Sequence, residues 1–235
     1  MALTLVEGTL TAGSAVLRWN AVPGATQYRV YRNGRPYRLV TGQTLRLRDL
    51  VHERAYEFEL TALMGETEQP CGSLTVCSKV APREFDVCQY GAVGDGVADD
   101  TAAMQAAIDD CTPQGVVYLP GGRYRLTAPL RLKTEMSLYL DRKAVLCGDL
   151  TAPEGCDELM IAGRGTLEGN LMLRCARCAC LRDLTCTGTV ALHDCRKTTL
   201  DTVTLQALRL TGACHLLAVG CTLPQGEYLG LEVLA

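Results

Sequence analysis

Between Phe85 and Cys111 the chain reads FDVCQYGAVGDGVADDTAAMQAAIDDC, and no other stretch limits the fold as tightly. Gly91, Gly94 and Gly96 interrupt it where tight or left-handed backbone is easiest, and the paired Asp99 and Asp100 follow where a carboxylate suits a helix N-cap. From Thr101 to Cys111 the apolar residues Ala103, Met104, Ala107, Ile108 and Cys111 recur at helical spacing, leaving Gln105, Asp109 and Asp110 on the other side. The stretch therefore predicts a glycine loop feeding one amphipathic helix with a single face to bury. It also separates two regions of different texture, which predicts a domain boundary just before it.

Beyond the helix the pattern turns to short β segments at close intervals, with no second helical periodicity. Val116 to Leu119 is a short apolar strand, and Tyr124 to Leu132 alternates after the Gly121-Gly122 turn. From Leu181 onward a repeat is visible: Leu181, Leu200 and Val219 stand 19 apart, as do Cys195 and Cys214. A period of that length means stacked coils, each burying inward Leu, Val and Cys against the equivalent residues above and below. On this reading the cysteines are core residues.

Residues 1–81 carry alternating runs at Ala15 to Trp19, Tyr28 to Tyr31, Leu45 to Leu47 and Tyr56 to Leu60. Pro23-Gly24, Asn33-Gly34 and Gly42 separate them, which predicts an antiparallel sandwich. The arginines at 29, 32, 35, 38, 46 and 48 could form an acidic-polysaccharide site, but they alternate with buried positions and are read as the solvent face of strands. Lys79 to Arg83, stiffened by Pro82, is the linker, so the domains are assigned as 1–81 and 82–235.

A formal net charge of -3 gives no reason to expect nucleic acid or an anionic membrane as a partner. Met1 to Leu10 lacks a basic start, a long apolar core and a cleavage site, and no later stretch approaches the roughly twenty apolar residues of a membrane span. The expectation is a cytoplasmic chain that neither enters a membrane nor leaves by that signal. Its thirteen cysteines are then expected to be reduced thiols. Cys175, Cys178, Cys180 and Cys186 resemble half a zinc site but lack a second ligand pair at matching spacing, and no histidine stands at a diagnostic distance from a cysteine. Neither a metal nor a cofactor is expected. His52, His193 and His215 read as surface or rung residues.

The order Phe85-Asp-Val, Tyr90-Gly-Ala, Gly94-Asp-Gly, Asp99-Asp-Thr101, a helix, then Gly115-Val-Val-Tyr-Leu-Pro-Gly-Gly-Arg-Tyr124 resembles the opening of the right-handed β-helix of the pectate lyase superfamily, and within it the polygalacturonases, the family 28 glycoside hydrolases. Thr127 to Lys133, Leu138 to Leu140, Ala144 to Gly148 and Ile161 to Gly169 follow that family's first coils in order. Trp19, Tyr28, Tyr31, Leu50 and Tyr56 resemble a fibronectin type III module, in which Trp19 would sit in the core and Tyr56 would lock one strand as a corner. The resemblances together imply an all-β chain: a fibronectin type III sandwich, then a short right-handed parallel β-helix with one N-terminal capping α-helix. Gly91, Gly94, Asp95, Gly96, Asp99, Asp100 and Thr101 would then shape the cap, as those positions do in the family, and would not be catalytic.

Polygalacturonases hydrolyse galacturonate chains with inversion, which needs carboxyls about 6.5 to 9.5 Å apart to admit water. The family supplies them from an Asn-Thr-Asp and a Gly-Asp-Asp motif. Counted along the rungs, the first falls at Gln206-Ala207-Leu208 and the second at Gly226-Glu227-Tyr228, so Glu227 is the nearest remnant of a catalytic acid. No counterpart follows for the family's Gly-His-Gly or Arg-Ile-Lys. The expectation is a polygalacturonase-like protein, silent as a glycosidase, that retains weak binding to acidic polysaccharides such as pectin or oligogalacturonides. Two alternatives stand beside it: a structural or interaction module, and a lyase-type enzyme with a site between chains. Leu229, Leu231, Val233 and Leu234 form no polar cap, so the last coil is expected to be frayed, covered, or paired with a second copy in a homo-oligomer.

Overall fold

The computed structural model describes residues 3–224 and 231–234. The chain divides into two compact units, Met1–Ala81 and Pro82–Val233.

The first unit has seven strands: β1 (Thr4–Leu5), β2 (Ala15–Arg18), β3 (Gln27–Arg32), β4 (Arg35–Val40), β5 (Thr44–Leu47), β6 (Ala55–Met64) and β7 (Thr67–Cys77). They form two antiparallel sheets, ordered β1-β2-β5 and β4-β3-β6-β7. Alternation drives the packing, because Tyr28, Val30, Leu45, Leu47, Tyr56, Phe58 and Leu60 all point into one apolar cluster. Trp19 lies there too, edge-on to Tyr28 with ring centroids 5.5 Å apart. The Tyr56 hydroxyl accepts a hydrogen bond from the Val51 amide at 2.8 Å, tying the start of β6 to the chain before it. Asn33 and Gly34 both take left-handed backbone, at φ 51 and 72, as a two-residue hairpin between β3 and β4 requires.

The second unit is a right-handed parallel β-solenoid. Its first face holds eight strands, and one inward column runs through Phe85, Val117, Leu138, Ile161, Leu181, Leu200 and Ala218. A second face stacks Tyr124, Leu146, Leu167, Cys186 and Leu205, and a third stacks Leu130, Leu150, Leu171, Val190 and Leu208. Most of these side chains are fully enclosed, so the hydrophobic effect acts along columns and each coil depends on its neighbours. The helix α1 (Thr101–Asp110) buries Met104, Ala107 and Ile108 in the same apolar cluster as Phe85 and Val87.

Two sequence readings need correction. Leu200 pairs with Ala218, not Val219, because this coil is one residue shorter. The residue is lost at a bend where Thr187 and Gly188 together oppose Gln206 alone. The cysteines, expected as core, are core only in part: Cys71, Cys111, Cys156, Cys180, Cys186, Cys195 and Cys214 are buried, whereas Cys77 and Cys88 are exposed. Of the buried ones, Cys156, Cys195 and Cys214 follow one corner, with Ala176 between the first two.

Corners repeat as faithfully as strands. Left-handed residues occur at Glu135, Glu158, Cys178 and Lys197 along one corner, and at Asp183, Thr202 and Gly220 along another. At the bend between the second and third faces, Gly148, Gly169 and Gly188 lie in one line. A Cβ on Gly169 would stand 1.8 Å from the Gly148 carbonyl oxygen, and one on Gly188 would stand 2.0 Å from that of Gly169. Beside them Asp149 Oδ1 accepts from the Asn170 amide at 2.8 Å, and Asn170 Oδ1 accepts from the Thr189 amide at 2.9 Å. On the first face, Arg182 Nε donates to Asp201 Oδ2 at 2.9 Å across adjacent coils, with side-chain exposures of only 8% and 0%.

Gly169→Ala is expected to cost about 1 to 3 kcal/mol, because the clash is with backbone that cannot rotate away. Asp201→Ala removes an acceptor from a buried guanidinium and is expected to cost about 3 to 5 kcal/mol. Urea unfolding followed by far-ultraviolet circular dichroism measures both; a Gly169→Ala midpoint equal to the parent's would contradict the close approach of the coils.

Candidate functional site

The glycine loop before α1 draws its own carboxylates inward. Asp100 is 1% exposed, and its Oδ1 accepts from the Val93 amide at 2.6 Å while Oδ2 accepts from Gly94 at 3.3 Å. The side chain thus faces the loop and makes no hydrogen bond to the helix it precedes, which corrects the expectation that Asp100 caps the first turn. Asp99 supplies that contact instead: its Oδ1 accepts from the Thr101 amide at 3.0 Å and the Thr101 hydroxyl at 2.5 Å, and its Oδ2 from the Thr127 hydroxyl at 2.7 Å. Asp95 Oδ1 accepts from the Val97 and Ala98 amides, each at 2.8 Å. Gly94 and Gly96 sit at φ 66 and 79, and a Cβ on either would meet Tyr124 or Arg123 at 3.0 Å. Gly91, at φ 98, ends the 3-10 turn Val87–Tyr90.

The outward side of the second face continues from this loop. Successive columns place Asp95 beside Arg123, Val145, Thr166, Thr185 and Thr204, and Asp99 beside Arg125, Cys147 and Glu168. Arg123 clamps Glu168 with both terminal nitrogens, Nη2 to Oε2 at 2.5 Å and Nη1 to Oε1 at 3.3 Å, two coils apart. Cys147 lies between them, its Sγ 3.5 Å from Glu168 Oε2. Arg125 donates to the Val97 carbonyl at 3.0 Å. Lys143 and Arg164 lie on consecutive coils at the adjoining corner, both exposed.

Electrostatically, the three acids on this face behave alike. The Thr101 hydroxyl, then the Thr127 hydroxyl and the Thr101 amide, pull Asp99 from 3.8 down to about 2. The Ala98 and Val97 amides lower Asp95, and the Arg123 guanidinium lowers Glu168. Each acid is held as a carboxylate, whereas a glycosidic general acid must be held protonated near neutral pH.

At Gln206-Ala207-Leu208 the structure places the one-residue bulge, with Gln206 exposed and Ala207 paired to Thr189. Glu227, with its flanking Gly226 and Tyr228, lies outside the described residues, as does Leu229. Leu231–Leu234 form the end strand of the first face. Among the described residues no group of three or more His, Cys, Asp or Glu could hold a metal ion, and no helix is long and apolar enough to cross a membrane. Sequence reasoning missed one arrangement: His193 Nδ1 lies 2.9 Å from the Thr211 hydroxyl on the next coil, and Nε2 3.1 Å from Asp194. Asp194 is the sequence neighbour of His193, but only the coil register brings Thr211 to it, and the ring is half exposed.

Comparison with known proteins follows the same geometry. A family model described as rhamnogalacturonase A/epimerase, pectate lyase-like, matches residues 85–173. An exo-poly-α-D-galacturonosidase of Dickeya chrysanthemi is 32% identical over 108 residues, covering 45% of this chain and 18% of that protein. Mannuronan C5-epimerase AlgE1 of Azotobacter vinelandii is 54% identical over 46 residues, covering 19% of this chain and 3% of the epimerase. In fold, a family 28 exopolygalacturonase of Yersinia enterocolitica superimposes with a TM-score of 0.85 at 15% identity, over 94% of this chain and 63% of that one. The chain thus spans less than a fifth of the curated galacturonosidase and under two thirds of the solved enzyme. Its solenoid is similar in sequence over residues 85–173, and in fold, to the pectate-lyase-like, polygalacturonase-type β-helix proteins.

The depressed Asp99 gives a pH prediction. A folded-state value below the unfolded 3.8 stabilises the protein above about pH 4, and that stabilisation is lost as pH falls towards 2. The difference in melting temperature between the parent and Asp99→Asn should stay constant from about pH 7 to 5 and close between about 4 and 2. A gap independent of pH would contradict the hydrogen-bonded carboxylate.

Proposed function

We propose that this chain is a polygalacturonase-like β-helix protein that holds acidic polysaccharide along its solenoid and does not cleave it. One observation carries the reading: on the outward second face, Asp95, Asp99 and Glu168 are each bound by an amide, a hydroxyl or a guanidinium and driven towards the ionised form. Inverting hydrolysis needs one acid kept protonated and a second free to activate water, and among the described residues Asp95, Asp99 and Glu168 fill neither role. Lys143 and Arg164, exposed on consecutive coils at the adjoining corner, supply positive charge for a uronate chain. The galacturonosidase and mannuronan epimerase relatives, by their names, act on polyuronates, which supports that ligand class. Residues 1–81 are read as a fibronectin type III-like module, supported by the three-plus-four antiparallel sheets and the Tyr56 corner. The helix α1 is read as the N-terminal cap, because its buried face joins the solenoid cluster at the first coil.

Incubation with polygalacturonate should release no reducing ends, and galacturonate oligomers should bind in calorimetry with an affinity that Lys143→Glu/Arg164→Glu weakens about tenfold, the size expected for lost charge-assisted contacts. Cleavage that Glu227→Gln abolishes would overturn the proposal, as would an unsaturated uronate product. Concentration-dependent association without any response to sugar would favour an interaction module.

A further inference from the structure

The first unit carries a second cationic surface, and it differs from the plain solvent face that the sequence implies for its arginines. Arg32 ends β3, Arg35 and Tyr37 lie on β4, and Arg54 immediately precedes β6. With Asn33 and Pro36 they line a cleft of about 500 Å³, within the roughly 300 to 1,000 Å³ of small-ligand sites. The Arg32 guanidinium lies 4.4 Å over the Tyr37 ring and donates to Asp49 Oδ2 at 2.7 Å, while the Tyr37 hydroxyl donates to Asp49 Oδ1 at 2.7 Å. Asp49 is therefore committed to fixing Arg32 and Tyr37 in place. Burial opposes its charge, yet the bonds from Tyr37 and Arg32 prevail and hold it below the usual carboxylate range. The Arg38 guanidinium lies 5.7 Å from the Tyr37 ring, outside the residues that line the cleft. Among the described residues, neither Arg35 nor Arg54 forms an ion pair, and both are exposed.

We propose that this cleft binds the carboxylates of an acidic polysaccharide, making residues 1–81 a uronate-binding module distinct from the solenoid surface. Three guanidiniums, of Arg32, Arg35 and Arg54, line the cleft, and the carboxylate beside it, Asp49, is already paired with Arg32, on a chain whose net charge is -3. Planar guanidiniums grip carboxylates in bidentate fashion, and Arg32, held by Asp49 and the Tyr37 ring, loses little freedom on binding. Single-stranded nucleic acid would need an open aromatic face for its bases; here Arg32 covers the Tyr37 ring and Tyr56 is buried. The choice of a uronate rests on the polyuronate reading of the solenoid, whereas the cleft itself does not.

Calorimetry of the full chain with a galacturonate oligomer at low salt tests the assignment. Arg35→Ser/Arg54→Ser should weaken binding about tenfold or more and flatten its salt dependence while leaving the melting temperature unchanged, and Arg35→Lys/Arg54→Lys should recover part of the affinity. A neutral oligosaccharide of equal length should not bind. If the serine variant binds as the parent does, or if a single-stranded oligodeoxynucleotide binds as tightly as the uronate, the cleft assignment is overturned. Loss of all binding in Lys143→Glu/Arg164→Glu alone would overturn it too while leaving the solenoid reading intact, and an absence of uronate binding to the parent would overturn both.

Discussion

Register between coils is the constraint on which the second unit rests. A coil of a parallel solenoid completes its backbone hydrogen bonds only through the coils on either side, so a residue is defined less by its sequence neighbours than by the one about a coil away. Leu181 is fixed by Ile161 and Leu200. The same rule governs polar groups: Arg182 is placed on Asp201, and Asp149, Asn170 and Thr189 hand hydrogen bonds from coil to coil. A polar side chain is tolerated inside such a stack because its partner arrives automatically, at a fixed spacing.

Much of this was legible in the sequence, and the exceptions have physical reasons. The helix after Asp100 could be read because its buried and exposed faces alternate at 3.6 residues, and the rungs after Leu181 because their inward residues recur. Strands β4 and β7 left no such trace: β4 has no fully buried side chain, and β7 buries only Cys71 and Val76. An edge strand open on both sides imposes no alternation. The pairing of Arg182 with Asp201, 19 residues apart, depends on the register and cannot be read from either residue alone. Asp100 sits where an N-cap was expected, but its own loop offers two amides nearer than the helix does.

Site chemistry was legible mainly as a departure from pattern. The positions where a polygalacturonase would carry its acids could be counted along the rungs, and the first of them, Gln206 to Leu208, coincides with the bulge. The electrostatic character of the nearby carboxylates could not be counted in full, because part of it comes from Thr127 and Arg123, which reach them across coils and corners. The arginines of the first unit invert this relation. Their number was plain, but the convergence of Arg32 and Tyr37 on Asp49 joins three different parts of the chain.

The bulge at Gln206 separates chain length from backbone register. One residue disappears there, yet pairing resumes at once with Thr189 against Ala207 and Val190 against Leu208. Gaps between related solenoids should therefore gather at bends, and an aligner that charges every gap equally will displace whole columns of the core to avoid a single cheap deletion. Similarity among such proteins is better scored rung against rung than residue after residue.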